Sequence, residues 1–280
     1  MRFVGALVGL SASLLLAASS ASAAAQADWG KAHDRCVSEL NDMDLIVASC
    51  NLVIDSGKLD QAGLSVAYMS RGNAWNVKGD YDRALADYDQ SIKLKADDNL
   101  TYNNRARAWL GKGEPDRAIA DFNESIRLEP HLYAAYLGRS VAWRVKGDFK
   151  RAIEDLNVAL GGNEDYAPIL NARCWTRAVA GIELDKALHD CDRALYFSRN
   201  MPAIYDSHGF VQLRRGEFAK AIADEDQALK LNPKLPAALF VRGVAKLRLG
   251  RTDEGQADIA AAEALDPQLP GRYAAWGVTP

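Results

Sequence analysis

The chain has 280 residues, of which 49% are hydrophobic and 25% charged, and this is the composition of an ordinary globular protein. Its 34 Lys and Arg residues against 37 Asp and Glu give a net charge of −3, so no excess of positive charge attracts phosphate backbones or anionic lipid. The composition therefore excludes disorder, a collagen-like fibre and a multi-span membrane protein, and it argues against nucleic acid as a partner.

The first predicted element is a leader over residues 1–23. It carries one basic residue, Arg2, then an apolar stretch over residues 4–17, and it ends in small residues. This layout is typical of a secretory signal peptide, with cleavage expected near Ala23 or Ala25. A retained membrane span is the weaker alternative, because glycine and serine interrupt the apolar run and no charged stop follows it. The sequence therefore predicts an exported protein, periplasmic or secreted, with no membrane insertion after cleavage.

A period of 34 residues organises the chain after the leader. Trp75, Trp109 and Trp143 are 34 residues apart, and each follows a small residue by three positions. We call this the small position, and it recurs as Cys36, Gly72, Ala106, Ser140, Cys174, Gly209 and Gly243. A second position, sixteen residues later in the regular repeats, is mostly bulky; we call it the bulky position, and it recurs as Cys50, Tyr88, Phe122, Leu156, Cys191, Glu225 and Ile259.

Each period holds two helical stretches divided by a glycine. Glycine can take the left-handed conformation that a helix needs just past its last turn. The dividing glycines are Gly79, Gly113, Gly147, Gly181, Gly216 and Gly250. Pro115 is expected to open a second helix, where its fixed φ fits. A repeat of this length with two helices predicts helix-turn-helix pairs stacked into a solenoid.

The residues within one period resemble the tetratricopeptide repeat. The matching positions, in order, are Tyr102, Ala106, Trp109, Ala118, Phe122 and Pro130. The resemblance implies an all-α, right-handed superhelical solenoid over residues 24–280. Within it we expect a degenerate helix pair at 29–64, six repeats at 65–267 and a terminal tail or cap at 268–280. Some repeats depart from the pattern at Arg177, Gln212 and Glu225.

An arginine precedes the small position in most repeats, and an aspartate precedes the bulky position. The basic series is Arg35, Arg71, Arg105, Arg139, Arg173, His208 and Arg242, and the acidic series is Asp87, Asp121, Asp155, Asp190, Asp224 and Asp258. One interpretation is a basic row that binds an acidic ligand. The other is a series of ion pairs between stacked helices, which the parallel course of the two series favours.

Four cysteines in an exported chain suggest two disulfides, and three pairings are possible. Cys36 and Cys174 occupy the small position, while Cys50 and Cys191 occupy the bulky position of the same helix pair. These positions face each other where the two helices approach most closely, so the repeat pattern predicts Cys36–Cys50 and Cys174–Cys191. A metal site is the competing interpretation, but there is no Cys-x-x-Cys pair and no histidine cluster beside the cysteines. We expect no metal and no cofactor.

No motif in the sequence supplies catalytic chemistry. There is no nucleophile elbow, phosphate-binding loop or zinc-protease spacing. What remains is a binding surface, since the resemblance implies that first helices line a concave groove for a peptide or a partner helix. The candidate inward-facing residues are Asn73, Asn76, Arg107, Leu110, Val141, Arg144, Trp175, Val179, Phe210, Arg214, Val244 and Arg248.

The sequence therefore predicts a non-catalytic interaction scaffold in the periplasm, with a protein or peptide partner. The first alternative is an enzyme, or a non-catalytic subunit of a cell-envelope enzyme complex, and a pocket with two or more buried ionisable groups would favour it. The second is a structural protein that self-associates through an exposed apolar end. Tyr273, Trp276 and Val278 in the tail make that conceivable, although we expect them to cover the last helix pair.

Overall fold

The structure is a computed structural model, and it describes residues 28–38 and 42–280. Within these residues there are fifteen helices and no strands. The chain divides between residues 129 and 130 into two compact units. The predicted leader, residues 1–23, lies outside the described residues, as do both candidate cleavage positions. The all-α architecture predicted from the sequence is confirmed.

The first unit contains six helices in three pairs. They are α1 (28–37), α2 (Met43–Asp55), α3 (Gln61–Val77), α4 (Tyr81–Leu94), α5 (Asn99–Gly111) and α6 (Pro115–Leu128). Each first helix packs against the second helix of its pair, and α2 and α4 pack against the next pair. Helix α3 begins one turn earlier than the predicted repeat boundary at residue 65. The cause is Asp60, whose side chain accepts a hydrogen bond from the Gly63 N–H at 2.7 Å and so caps the helix at that point.

The second unit contains four further pairs and a terminal helix. They are α7 (Tyr133–Val145), α8 (Phe149–Leu160), α9 (Ala167–Ala180), α10 (Leu184–Phe197), α11 (Pro202–Arg214), α12 (Phe218–Leu231), α13 (Pro236–Arg248), α14 (Thr252–Leu265) and α15 (Leu269–Ala275). Proline opens α9, α11 and α13 within their first two positions, where its missing N–H has no helical partner to lose.

Glycines end the first helices as the sequence predicts. Gly113, just after α5, has φ of +77°, a conformation that a residue with a Cβ adopts only under strain. The other five dividing glycines have φ between +68° and +78°. Pro115 stands at the start of α6, also as predicted. The turns between paired helices are therefore determined locally, by the residues within them.

The small and bulky positions meet inside each pair. A Cβ added to Gly72 would lie 2.8 Å from the Tyr88 ring, so only glycine leaves room for that ring. Ala106, Ala118 and Phe122 are fully buried in the next pair. Close packing of this kind leaves no space for a larger side chain at the small position.

Candidate interaction surface

Ion pairs link the two helices of a pair, and they also link neighbouring pairs. Arg105 Nη2 lies 2.6 Å from Asp121 Oδ1 in its own pair, and Arg105 Nη1 lies 2.7 Å from Asp89 Oδ1 in the preceding pair. The same pairing within one helix pair joins Arg71 to Asp87, Arg139 to Asp155, Arg173 to Asp190, His208 to Asp224 and Arg242 to Asp258. These basic groups are thus committed to structural contacts. The interpretation as a series of ion pairs between stacked helices is confirmed for these residues.

In the first unit, the candidate groove residues lie on α3 and α5. Asn73 is tied into the fold, since its Oδ1 accepts a hydrogen bond of 2.8 Å from the Tyr88 hydroxyl. Asn76 and Leu110 are half-buried, and Arg107 is exposed. The side chains of Asn76 and Arg107 make no hydrogen bond or ion pair with any described residue. This part of the predicted groove is open.

In the second unit, the chain's own C-terminal segment covers much of the predicted groove. Val179, Phe210 and Val244 are buried, each with 4% or less of its surface exposed. Arg214 Nη1 donates to the Trp276 carbonyl at 2.5 Å. Arg248 Nη2 donates to the Thr279 carbonyl at 3.1 Å. The sequence placed these residues on a ligand-binding face, and here they bind residues of the same chain.

An aromatic cluster anchors the C-terminal segment. The Tyr273 ring centroid lies 5.3 Å from that of Phe210 and 4.8 Å from that of Phe240, and Tyr273 is 1% exposed. The Trp276 ring packs edge-on against Trp175 at 5.6 Å. Contacts of this kind add to the free energy of simple burial. The sequence predicts a tail that covers the last helix pair, whereas this one reaches back as far as α9, across three first helices.

The apolar side chains of the tail pack within the second unit. Tyr273 and Val278 are buried within the second unit, and Trp276 is half-buried against Trp175 and Phe210. These side chains therefore do not form the exposed apolar end that a self-associating protein would need. The expectation that they cover helices of their own chain is confirmed.

Two carboxyl groups beneath the tail are buried without a hydrogen-bond partner. They belong to Asp206 on α11, which is 8% exposed, and Glu225 on α12, which is fully buried. Burial raises the pKa of Asp206 from 3.8 to about 7. Burial and the nearby Asp206 charge raise the pKa of Glu225 well above its ordinary value. The Tyr273 hydroxyl is also without a partner, and burial raises its pKa. Both acids thus favour their neutral forms.

A cavity of about 460 Å³ lies between the C-terminal segment and the first helices of the second unit. Its charged and polar lining includes Arg144, Asp206 and Arg272, and its apolar walls include Trp175 and Trp276. Arg144 is half-buried, and its side chain has no hydrogen bond or ion pair with a described residue. Burial lowers the pKa of Arg144. The volume is within the range of sites that bind small molecules.

Arg144 is among the inward-facing residues predicted from the sequence, whereas Asp206 is not. Glu225 gave a usable signal, because it is an acid in the bulky position, where other repeats carry an apolar residue. Gly209 makes room for it: a Cβ there would lie 2.4 Å from Glu225 Oε1. Asp206 gave a weaker signal of the same kind, since the equivalent positions of other repeats include Met69, Leu137 and Phe240. Two buried ionisable groups in a pocket are the feature that favours an enzyme, and Asp206 and Tyr273 both line the cavity, whereas Glu225 does not.

The cysteines pair as the repeat pattern predicts. The Sγ atoms of Cys36 and Cys50 are 2.13 Å apart, and those of Cys174 and Cys191 are 1.92 Å apart. Cysteine pairs of this kind are typical of proteins from oxidising compartments. Among residues 28–38 and 42–280, no group of three or more His, Cys, Asp or Glu side chains is placed to hold a metal ion.

Over the described residues no helix is both long and apolar enough to cross a bilayer. Helix pairs of this length, stacked through a glycine-marked turn and a small-against-bulky contact, define a helix-turn-helix repeat protein. A family model described as "Tetratricopeptide repeat" matches residues 103–167 and 209–270. These two stretches are therefore tetratricopeptide repeats, and the fold is of a type found in protein–protein interaction scaffolds.

Solved structures of similar fold agree with this assignment. A tetratricopeptide repeat protein from Parabacteroides merdae has a TM-score of 0.71 at 15% identity over 89% of this chain and 98% of its own. A chain in the structure of the APC/C hetero-tetramer Cut9–Hcn1 has a TM-score of 0.69 at 16% identity, and the match covers 85% of this chain and 49% of that one. A tetratricopeptide repeat protein from Thermus thermophilus has a TM-score of 0.54 at 25% identity, and the match covers 66% of this chain and 98% of that one. A comparison with curated proteins finds no match.

Proposed function

We propose that the protein is a non-catalytic interaction scaffold of the periplasm that binds a peptide or partner helix on the inner face of its first helices. One observation carries the proposal: the inner face of the second unit already holds a peptide segment, residues 269–280 of the same chain. Arg214 and Arg248 bind main-chain carbonyl groups of that segment. Such contacts depend little on the side chains of the bound segment, so the surface is suited to peptide backbone.

The first unit presents the accessible part of this face. Arg107 is exposed and Asn76 is half-buried, and neither side chain is used within the fold. The corresponding residues of the second unit, such as Phe210 and Val244, are apolar and covered. A partner of the first unit would therefore meet a more polar surface, with a free guanidinium that favours an acidic segment.

Export to the periplasm rests on two features that are independent of each other. Residues 1–23 have the pattern of a signal peptide, and both cysteine pairs lie at bonding distance. A reducing cytosol would keep such thiols unpaired. Cell fractionation, with amino-terminal sequencing of the recovered chain, tests this part of the proposal. Recovery of an unprocessed chain from the cytosol would contradict it.

Cross-linking and pull-down from a periplasmic extract test the binding face. The Arg107→Glu variant is expected to capture several-fold less of the principal partner than the unmodified chain, and the difference should grow at low salt, where screening is weakest. Lys95→Glu is the matched control, since Lys95 is exposed in the turn after α4 and also lacks a described side-chain partner. Equal capture by both variants would move the binding site away from the inner face of the first unit.

Enzymatic activity is the second candidate, and the buried Asp206 is the observation in its favour. A single cavity carboxyl group without a neighbouring nucleophile or metal ligand supports it less well than binding. Hydrolase assays of the purified chain on cell-wall fragments, with Asp206→Asn as the comparison, would reveal such an activity if it exists.

A further inference from the structure

The cavity under the C-terminal segment contains a basic and an acidic side chain that do not pair with each other. Arg144 and Asp206 both line it, yet no hydrogen bond or ion pair joins them. Asp206 Oδ1 is buried and has no partner at all. A buried polar group without a partner is destabilising, and more so when it is charged, so both side chains would gain from a ligand.

The third charged group in the lining is already engaged. Arg272 forms an ion pair with Asp266, which directly follows α14. The free groups are then one guanidinium and one carboxyl, and a ligand that carries one negative and one positive charge would satisfy both. A ligand with only one of these charges would leave the other group unpaired.

The apolar walls indicate the remainder of the ligand. Trp175 and Trp276 meet edge-on with their ring centroids 5.6 Å apart, and Val179 and Leu269 also line the cavity. Trp276 and Leu269 come from the C-terminal segment, which therefore narrows the groove to a cavity of small-molecule size.

We propose that this cavity binds a free α-amino acid with an apolar or aromatic side chain. Its carboxylate pairs with Arg144, its ammonium group pairs with Asp206, and its side chain contacts Trp175 and Trp276. A guanidinium binds a carboxylate through two parallel hydrogen bonds, and the ammonium group stabilises the ionised form of the buried acid. This activity goes beyond scaffold function, since it uses the second unit and needs no protein partner.

Isothermal titration of the full mature chain with L-phenylalanine tests the proposal. Phenylalanine amide lacks the carboxylate and N-acetyl-phenylalanine lacks the ammonium group, so each is expected to bind about tenfold or more weakly than phenylalanine. The tripeptide Gly-Gly-Phe, which has no ammonium group beside its terminal carboxylate, should also bind weakly. Tripeptide binding equal to that of phenylalanine would identify a peptide end as the ligand and overturn the proposal.

Two variants test whether Arg144 contacts the carboxylate of the ligand and Asp206 its ammonium group. Arg144→Gln should weaken the binding of phenylalanine about tenfold, and Asp206→Asn should remove most of the preference for phenylalanine over its N-acetyl derivative. A purely structural role for Asp206 would not change that ratio. Arg199→Gln and Glu263→Gln are matched controls, because both residues are exposed in the same unit and lack described side-chain partners. Absence of binding at millimolar phenylalanine, or unchanged affinity in Arg144→Gln, would overturn the proposal.

Discussion

Replacement of Asp206 by asparagine should make the protein more stable at neutral and alkaline pH. The side chain is 8% exposed, and burial raises its pKa from 3.8 to about 7. Below pH 4 the carboxyl group is protonated in both the folded and the unfolded chain, so its contribution to stability does not change there. Between pH 4 and pH 7 only the unfolded chain releases the proton, and the folded state therefore loses stability as the pH rises. Above pH 7 the loss is complete.

The size of the effect follows from the two pKa values. Each tenfold change in proton affinity is worth about 1.4 kcal/mol, so a pKa of about 7 in place of 3.8 corresponds to roughly 4 kcal/mol. Asparagine has nearly the same shape and carries no charge, and it avoids this loss. Glu225 and His208 also have raised pKa values and weaken the fold in the same direction as the pH rises. The difference between the variant and the unmodified chain therefore measures Asp206 together with its effect on the pKa of Glu225, while His208 contributes equally to both.

Urea denaturation at pH 5 and at pH 8, with the disulfides intact, measures the effect. The unmodified chain should lose several kcal/mol of unfolding free energy between the two pH values, and Asp206→Asn should lose clearly less. Glu263→Gln, an exposed acid in the same unit, should behave like the unmodified chain. Identical pH dependence in Asp206→Asn and the unmodified chain would refute the argument that this carboxyl group is buried and neutral.

Three further substitutions test the packing between helices. Ala118→Leu should destabilise the first unit by about 1–3 kcal/mol, because Ala118 is fully buried; an unchanged melting temperature would contradict the close contact. Serine at both Cys174 and Cys191 should cost on the order of 3 kcal/mol, and thiol titration of the unmodified, unfolded chain should find no free thiol. Arg105→Leu leaves the buried Asp121 without its main partner and should cost roughly 1–3 kcal/mol by thermal unfolding, whereas no loss would indicate that the ion pair is replaced by water.

The helix pairs and their contacts could be predicted from sequence because the information is local and repeated. A glycine such as Gly113 marks the end of a helix whatever surrounds it, and sixteen residues place Ala106 against Phe122 in one pair. The same spacing brought Arg105 to Asp121, and a spacing of seventeen residues, in the repeat with one extra residue, brought Cys174 to Cys191. Each of these contacts joins two helices connected by a short turn, so helical geometry alone sets the distance.

The sequence could not predict that the C-terminal segment covers the inner face of the first helices in the second unit, because this cover depends on contacts between residues distant in the sequence. Trp276 lies against Trp175, which is three helix pairs earlier in the chain, and no repeat spacing links the two. The same tail buries Phe210, which the repeat pattern places on a ligand-binding face. The same holds for Asp206. The sequence shows an ionisable side chain, but only the folded structure shows that it is buried without a hydrogen-bond partner and that its pKa is therefore raised. Burial here is a property of the assembled second unit, in which the terminal segment excludes water from first helices that would otherwise be exposed.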